Sequence, residues 1–196
     1  MSIIALEGID KSGKKTQAKL LAKRLIETGR AVQCISFPDY QTPLGQQIKS
    51  FLEGGATFRP EVRQLLYVAN RWEREADLKK WLHDGVCVIA DRYIPAGLAY
   101  GLANGLDLGW MLKLEEGLPK PTMVIVLDLP PQVAAQRDGS KDLYERDFQF
   151  QRKVRESYLQ LSRIFQWEIV DAAQPIPKVA EEVWRLVSRL LSHLIP

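Results

Sequence analysis

The chain has 196 residues, 46% of them hydrophobic and 26% charged, with a formal net charge of +3 and a pI near 8.8. That size suits one globular α/β domain and leaves little room for a second full one. The mild positive charge calls for no nucleic-acid surface, and no apolar run approaches the ~20 residues of a membrane span. With no basic-then-apolar leader segment, cytoplasmic residence is expected, without nucleic-acid or membrane partners.

The first β-like run, residues 2–6, leads straight into Gly8-Ile9-Asp10-Lys11-Ser12-Gly13-Lys14-Lys15-Thr16. This follows the phosphate-loop pattern G-x-x-x-x-G-K-[ST], in which glycines let the backbone curl so that successive N–H groups face a phosphate. Lys14 belongs where the β- and γ-phosphates lie. A helical pattern beginning near Lys14, with Ala18, Leu21, Ala22 and Leu25 among its apolar positions, adds the positive end of a helix dipole. Lys15 stands where a Ser or Thr would bind Mg²⁺. Thr16, turned by about 100° on the helix, is expected to reach a neighbouring phosphate instead.

Further β-like runs follow at 31–37, 86–90, 123–129 and 167–170, separated by helical patterns rather than hairpin turns. Parallel pairing is favoured, and the runs without alternation read as strands covered on both faces. The prediction is a three-layer, doubly wound, five-stranded parallel sheet. Pro60 suits the start of a long helix through about Leu82, Pro95 another, and Pro175 or Pro177 the C-terminal one; Gly29, Gly85 and Gly117 suit helix stops. Cys34 and Cys87 lie within apolar runs and read as small packed hydrophobes. The polar stretch 138–142 reads as a mobile loop.

Ligands of such sheets bind at the carboxyl ends of the strands. There the second run delivers Phe37-Pro38-Asp39-Tyr40 and the third Asp91-Arg92-Tyr93, whose Asp91 has the form of an aspartate that orients Mg²⁺ or its waters.

Taken together, Glu7-Gly8-Ile9-Asp10, Phe37-Pro38-x-Tyr40, Ala69-Asn70-Arg71-Trp72-Glu73, Asp91-Arg92-Tyr93 and Gly117-Leu118-Pro119-Lys120-Pro121 resemble the thymidylate kinase family of P-loop nucleoside monophosphate kinases, in matching order to about Phe150. The resemblance implies transfer of the γ-phosphoryl of Mg·ATP to dTMP, giving dTDP and ADP for dTTP biosynthesis, by a soluble homodimer with a mobile lid at about 137–146. It implies that Gly8, Ser12, Gly13, Lys14, Lys15, Thr16 and Arg137 bind ATP. Tyr67 would stack on thymine, Arg71 meet a base carbonyl, and Phe37, Pro38, Ala96 and Gly97 line the base pocket. Arg92 and Tyr40 would hold the acceptor phosphate, and Tyr100 would crowd the sugar 2′ position. Asp10, Tyr144 and Glu145 complete the acceptor set, with Asp10 and Asp91 as Mg²⁺ carboxylates. Lys14, Lys11, Arg92 and Arg137 would be the catalytic cations, with Lys141 an alternative from the lid.

Three positions depart from the family pattern: Lys15, Ala96 where Ser is frequent, and Leu143 where Arg is frequent. They leave two alternatives, a kinase of a related pyrimidine nucleotide or deoxynucleoside and a catalytically silent nucleotide-binding relative. A guanine switch protein is disfavoured by the lack of an Asn-Lys-x-Asp base reader.

Overall fold

The computed structural model describes residues 2–137, 144 and 147–193. Strands β1 (Ser2–Glu7), β2 (Val32–Ser36), β3 (Cys87–Asp91), β4 (Met123–Asp128) and β5 (Glu168–Asp171) pair in parallel in the order β2-β3-β1-β4-β5. All five coincide with the predicted runs to within a residue or two. Ile3, Ile4, Ala5 and Leu6 of β1 are fully buried, as are Val88, Ile89 and Ala90 of β3. These central strands lack alternation because helices cover both faces.

Helices α1 (Lys14–Glu27) and α9 (Ile176–His193) pack together against the sheet, and α5 (Ile94–Ala103) packs with α8 (Phe148–Phe165). Leu21 and Leu25 of α1, Val183 and Val187 of α9, Leu98 and Ala99 of α5, and Val154 and Leu161 of α8 join the core cluster. The remaining helices are α2 (Pro43–Leu52), α3 (Pro60–Trp72), α4 (Glu75–His83), α6 (Leu108–Leu114) and α7 (Pro131–Ala135).

Two expectations are corrected. The helix beginning at Pro60 does not run to Leu82: Arg74, at φ −109° and ψ 5°, breaks it into α3 and α4. Side chains at the break are committed elsewhere, since Arg74 Nε donates to Asp39 at 2.7 Å and Glu73 accepts from Leu44 N at 3.3 Å. Cys34 is exposed rather than packed, because β2 is an edge strand, whereas Cys87 is buried as expected.

Candidate active site

The loop joining β1 to α1 closes over the tip of the sheet. Gly8 has φ +131°, and a Cβ there would sit 2.5 Å from Leu127 O, so only glycine lets the loop lie against β4. Helix α1 opens at Gly13 with no side-chain cap and no acid in its first turn. Its leading N–H groups therefore lack intrahelical partners, an arrangement suited to an anion. Lys14 is buried, its ammonium donating to Ile9 O at 2.8 Å and Gly8 O at 3.3 Å. Burial, then the nearby Arg92, pushes its pKa down to about 8 despite Asp91, Asp10 and Glu7.

A cleft of about 630 Å³ spreads from this loop and brings together Ser12, Gly13, Lys14, Lys15, Thr16 and Arg137. Arg137 Nη1 donates to Lys11 O at 2.7 Å and Nη2 to Ala172 O at 2.8 Å, while Lys11 Nζ returns a bond to Arg137 O at 3.1 Å. Asp91, at the end of β3, opens into the same cleft. Among the described residues no three His, Cys, Asp or Glu side chains gather as a metal cage. Two carboxylates, Asp91 and Asp10, border this cleft, Asp10 already paired with Arg92, and such a set beside the glycine loop fits Mg²⁺, which takes one or two carboxylates and fills its shell with water and phosphate oxygens.

A second pocket lies between α3, α5 and the tips of β2 and β3. All the described residues assigned to the acceptor line it: Asp10, Phe37, Pro38, Tyr40, Tyr67, Arg71, Arg92, Ala96, Gly97, Tyr100 and Tyr144. Leu52, Asn70 and Tyr93 join them. Glu145, Lys141, Leu143 and the loop at 138–142 lie outside the described residues.

Arg71 is set by a partner that no local motif announces. Its Nε donates to Glu115 Oε2 at 3.0 Å and its Nη2 to Glu115 Oε1, and both side chains are buried. Nη1 is the guanidinium nitrogen not engaged by Glu115. A Cβ on Gly97 would come within 2.8 Å of Arg71 Nη2, so a larger residue there would have to shift the guanidinium against Glu115. Asn70 fixes the neighbouring loop, donating to Thr42 Oγ1 at 2.7 Å and accepting from Asp39 N at 2.8 Å.

Arg92 sits where the two cavities meet. Its backbone is left-handed at φ 64°, Nη1 donates to Gly8 O at 3.0 Å, and Nη2 pairs with Asp10 Oδ1. Asp10 Oδ2 accepts from Tyr100 Oη at 2.8 Å and Gln151 Nε2 at 3.0 Å. Burial pushes the Asp10 pKa up, but Arg92, Lys14 and these two donors outweigh it and hold the carboxyl below its usual range. Asp10 thus faces Arg92 and the acceptor pocket, with both oxygens engaged.

Beneath Arg92 lies Glu7, fully buried, accepting from Tyr93 N at 2.8 Å and Tyr158 Oη at 2.9 Å. Burial lifts its pKa from 4.5 to about 7, against the pull of Arg92 and these donors. Between those values the folded protein holds a proton that the unfolded chain has lost, so stability falls as pH rises through the window, by about 3 kcal/mol when complete. Glu7→Gln is isosteric and uncharged, so above pH of about 7 it is expected to melt higher than the wild type, with a flatter pH dependence in thermal scans. Equal slopes for the two proteins would contradict this assignment.

An all-parallel sheet carrying a phosphate loop after its central strand, an aspartate at the tip of β3 and a second pocket against α3 and α5 defines a P-loop nucleotide kinase. The family model described as thymidylate kinase matches residues 6–183. A thymidylate kinase of Danio rerio is 36% identical over 97% of this chain and 92% of its own length. A probable thymidylate kinase of Thermococcus kodakarensis is 38% identical over 97% and 98%. A solved thymidylate kinase from Candida albicans superposes with a TM-score of 0.87 at 32% identity, covering 98% of this chain and 93% of that one. The chain belongs to the thymidylate kinase family, whose members are phosphotransferases.

Proposed function

We propose that the protein transfers the γ-phosphoryl group of ATP to dTMP, with Mg²⁺, to give dTDP and ADP. The observation that carries this reading is that the phosphate cleft and the acceptor pocket share Arg92, Asp10, Phe37, Pro38 and Tyr40 as common wall. Two nucleotides seated in these cavities meet phosphate to phosphate at Arg92.

Such an approach is opposed by charge: each pair of unit charges about 5 Å apart repels by about 3 kcal/mol at an effective dielectric of about 20. Lys14, Arg92, Lys11 and Arg137 supply the cancelling charge, and Mg²⁺, oriented by Asp91, would add a Lewis acid on the β- and γ-phosphates. An oxygen of the acceptor phosphate forms the new bond to the γ-phosphorus as the bond to the β-bridging oxygen breaks. No general base is needed, because the attacking oxygen already carries charge, and catalysis is positioning and electrostatic. Tyr67 and Arg71 lie four apart on one face of α3 and suit a base stacked on the ring and bonded through Nη1.

ADP release measured across thymidine, deoxyuridine, deoxycytidine and deoxyguanosine monophosphates tests the assignment. Thymidylate should rank first, and no acceptor-dependent release at all would overturn it.

We further assign a homodimer. Exposed Val62, Leu65 and Trp72 on one face of α3, with exposed Leu112 on adjacent α6, support an apolar contact with a second copy. Sedimentation is expected to give twice the 22.3 kDa chain mass; a monomer at assay concentration would remove the assignment. Cytoplasmic residence is part of this reading; among the described residues no helix is long and apolar enough to cross a membrane.

A further inference from the structure

The acceptor pocket has a wall whose support lies outside it. Tyr144 lines the pocket and stacks on Phe150 with ring centroids 4.8 Å apart, and its edge meets Tyr100 at 5.5 Å and Phe51 at 5.8 Å. Arg63 of α3 does not line this pocket but shares a neighbouring cavity with Tyr144 and Asn104. Its Nη1 donates to Tyr144 Oη at 2.9 Å and its Nη2 to Asn104 Oδ1 at 2.9 Å, and the guanidinium lies 5.2 Å from the centre of the Phe51 ring. Asn104 in turn donates to the backbone carbonyl of Tyr100 at 2.7 Å. One planar cation therefore ties α2, α3, the end of α5 and Tyr144 together, and it touches both tyrosines of the wall, one directly and one through Asn104.

We propose that Arg63 is a positioning residue for the acceptor nucleotide: by fixing Tyr144 and, through Asn104, Tyr100, it sets the shape of the pocket wall and so the acceptor KM. This rests on the reading that the pocket takes thymidylate. A guanidinium suits the task, because its rigid fork serves two acceptors in one plane while its face covers an aromatic ring. Lysine can supply the charge but not the fork.

Steady-state kinetics of Arg63→Met, Arg63→Lys, Tyr144→Phe and the double variant Arg63→Met/Tyr144→Phe provide the test, with both substrates varied and melting temperatures recorded. Arg63→Met is expected to raise the KM for thymidylate about ten-fold while kcat and the KM for ATP stay within about two-fold. Tyr144→Phe keeps the ring and removes only the accepting oxygen, so it is expected to raise the thymidylate KM about three-fold without loss of melting temperature. The double variant should match Arg63→Met rather than multiply the two effects, as coupled partners do. Arg63→Lys should fall between wild type and Arg63→Met.

An unchanged thymidylate KM in Arg63→Met or Tyr144→Phe, multiplicative effects in the double variant, or a parallel loss of kcat and both KM values tracking melting temperature would overturn the proposal. Wild-type protein that turns over no thymidylate would overturn the kinase reading and this inference with it. Active wild type with indifferent variants would overturn this inference alone.

Discussion

Replacing Arg92 with alanine is expected to lower kcat/KM for thymidylate by at least ~100-fold and to lower the melting temperature as well. Both losses come from the same removal. Among the described residues Arg92 is the cation that lines both cavities, and in the proposed reading it is the fork that orients the acceptor phosphate. The guanidinium also neutralises Asp10, whose carboxylate is bonded to it, and pulls on buried Glu7. Breaking a partly buried pair by deleting one partner strands the other, at a cost below that of a fully buried pair, about 3–5 kcal/mol. Lysine is not a remedy, because it cannot bond Gly8 O and Asp10 with two fixed nitrogens at once. Kinetics and thermal melts on Arg92→Ala and Arg92→Lys check the prediction; an alanine variant of unchanged efficiency would refute the role given to this residue.

Lys14→Met should behave differently, losing roughly 10³-fold in kcat while its melting temperature stays close to that of the wild type. The ammonium is buried against the carbonyls of Ile9 and Gly8, and burial has already brought its pKa down to about 8. Methionine forfeits those contacts but also removes an incompletely compensated buried charge, and the two effects offset. In the proposed reading a bound polyphosphate adds an anionic partner to the carbonyls that the ammonium already meets. Only the protonated form attracts it, so kcat/KM for ATP is expected to fall as pH rises through about 8, the free-enzyme value. Lys14→Met should show no such inflection. A pH profile of kcat/KM for both proteins decides the matter, since an inflection surviving in the methionine variant would assign it to another group.

The five strands, the phosphate loop and the tips of β2 and β3 were legible in the sequence because each is a local pattern: an apolar run, fixed glycine spacing, an acid after a strand. Tyr67 and Arg71 were legible as a pair because four residues is one helical turn. The partners that hold these groups were not. Glu115 reaches Arg71 across 44 residues, Gln151 reaches Asp10 across 141, and Tyr158 reaches Glu7 across 151. No periodicity encodes such meetings; they exist only once the sheet has placed α3, α5, α6 and α8.

The break between α3 and α4 was hidden for the same reason, since what ends α3 is the pull of Asp39 and Leu44 on Arg74 and Glu73. Helix α2, by contrast, carried a readable signal that went unused, Pro43 in its first turn behind the capping hydroxyl of Thr42. Cys34 was misread because an edge strand and a central one can share an apolar run.

The first of the five strands in chain order, β1, occupies the middle of the sheet. Its hydrogen bonds close only against Cys87–Asp91 on one side and Met123–Asp128 on the other. Until β3 and β4 have been made, Ile3, Ile4 and Leu6 lack the strands that flank them and have only α1 close by in sequence to cover them. Folding must therefore be dominated by distant pairings, and so be slow relative to a helical bundle of equal length. Strand β1 is the segment most in need of protection from aggregation during that delay.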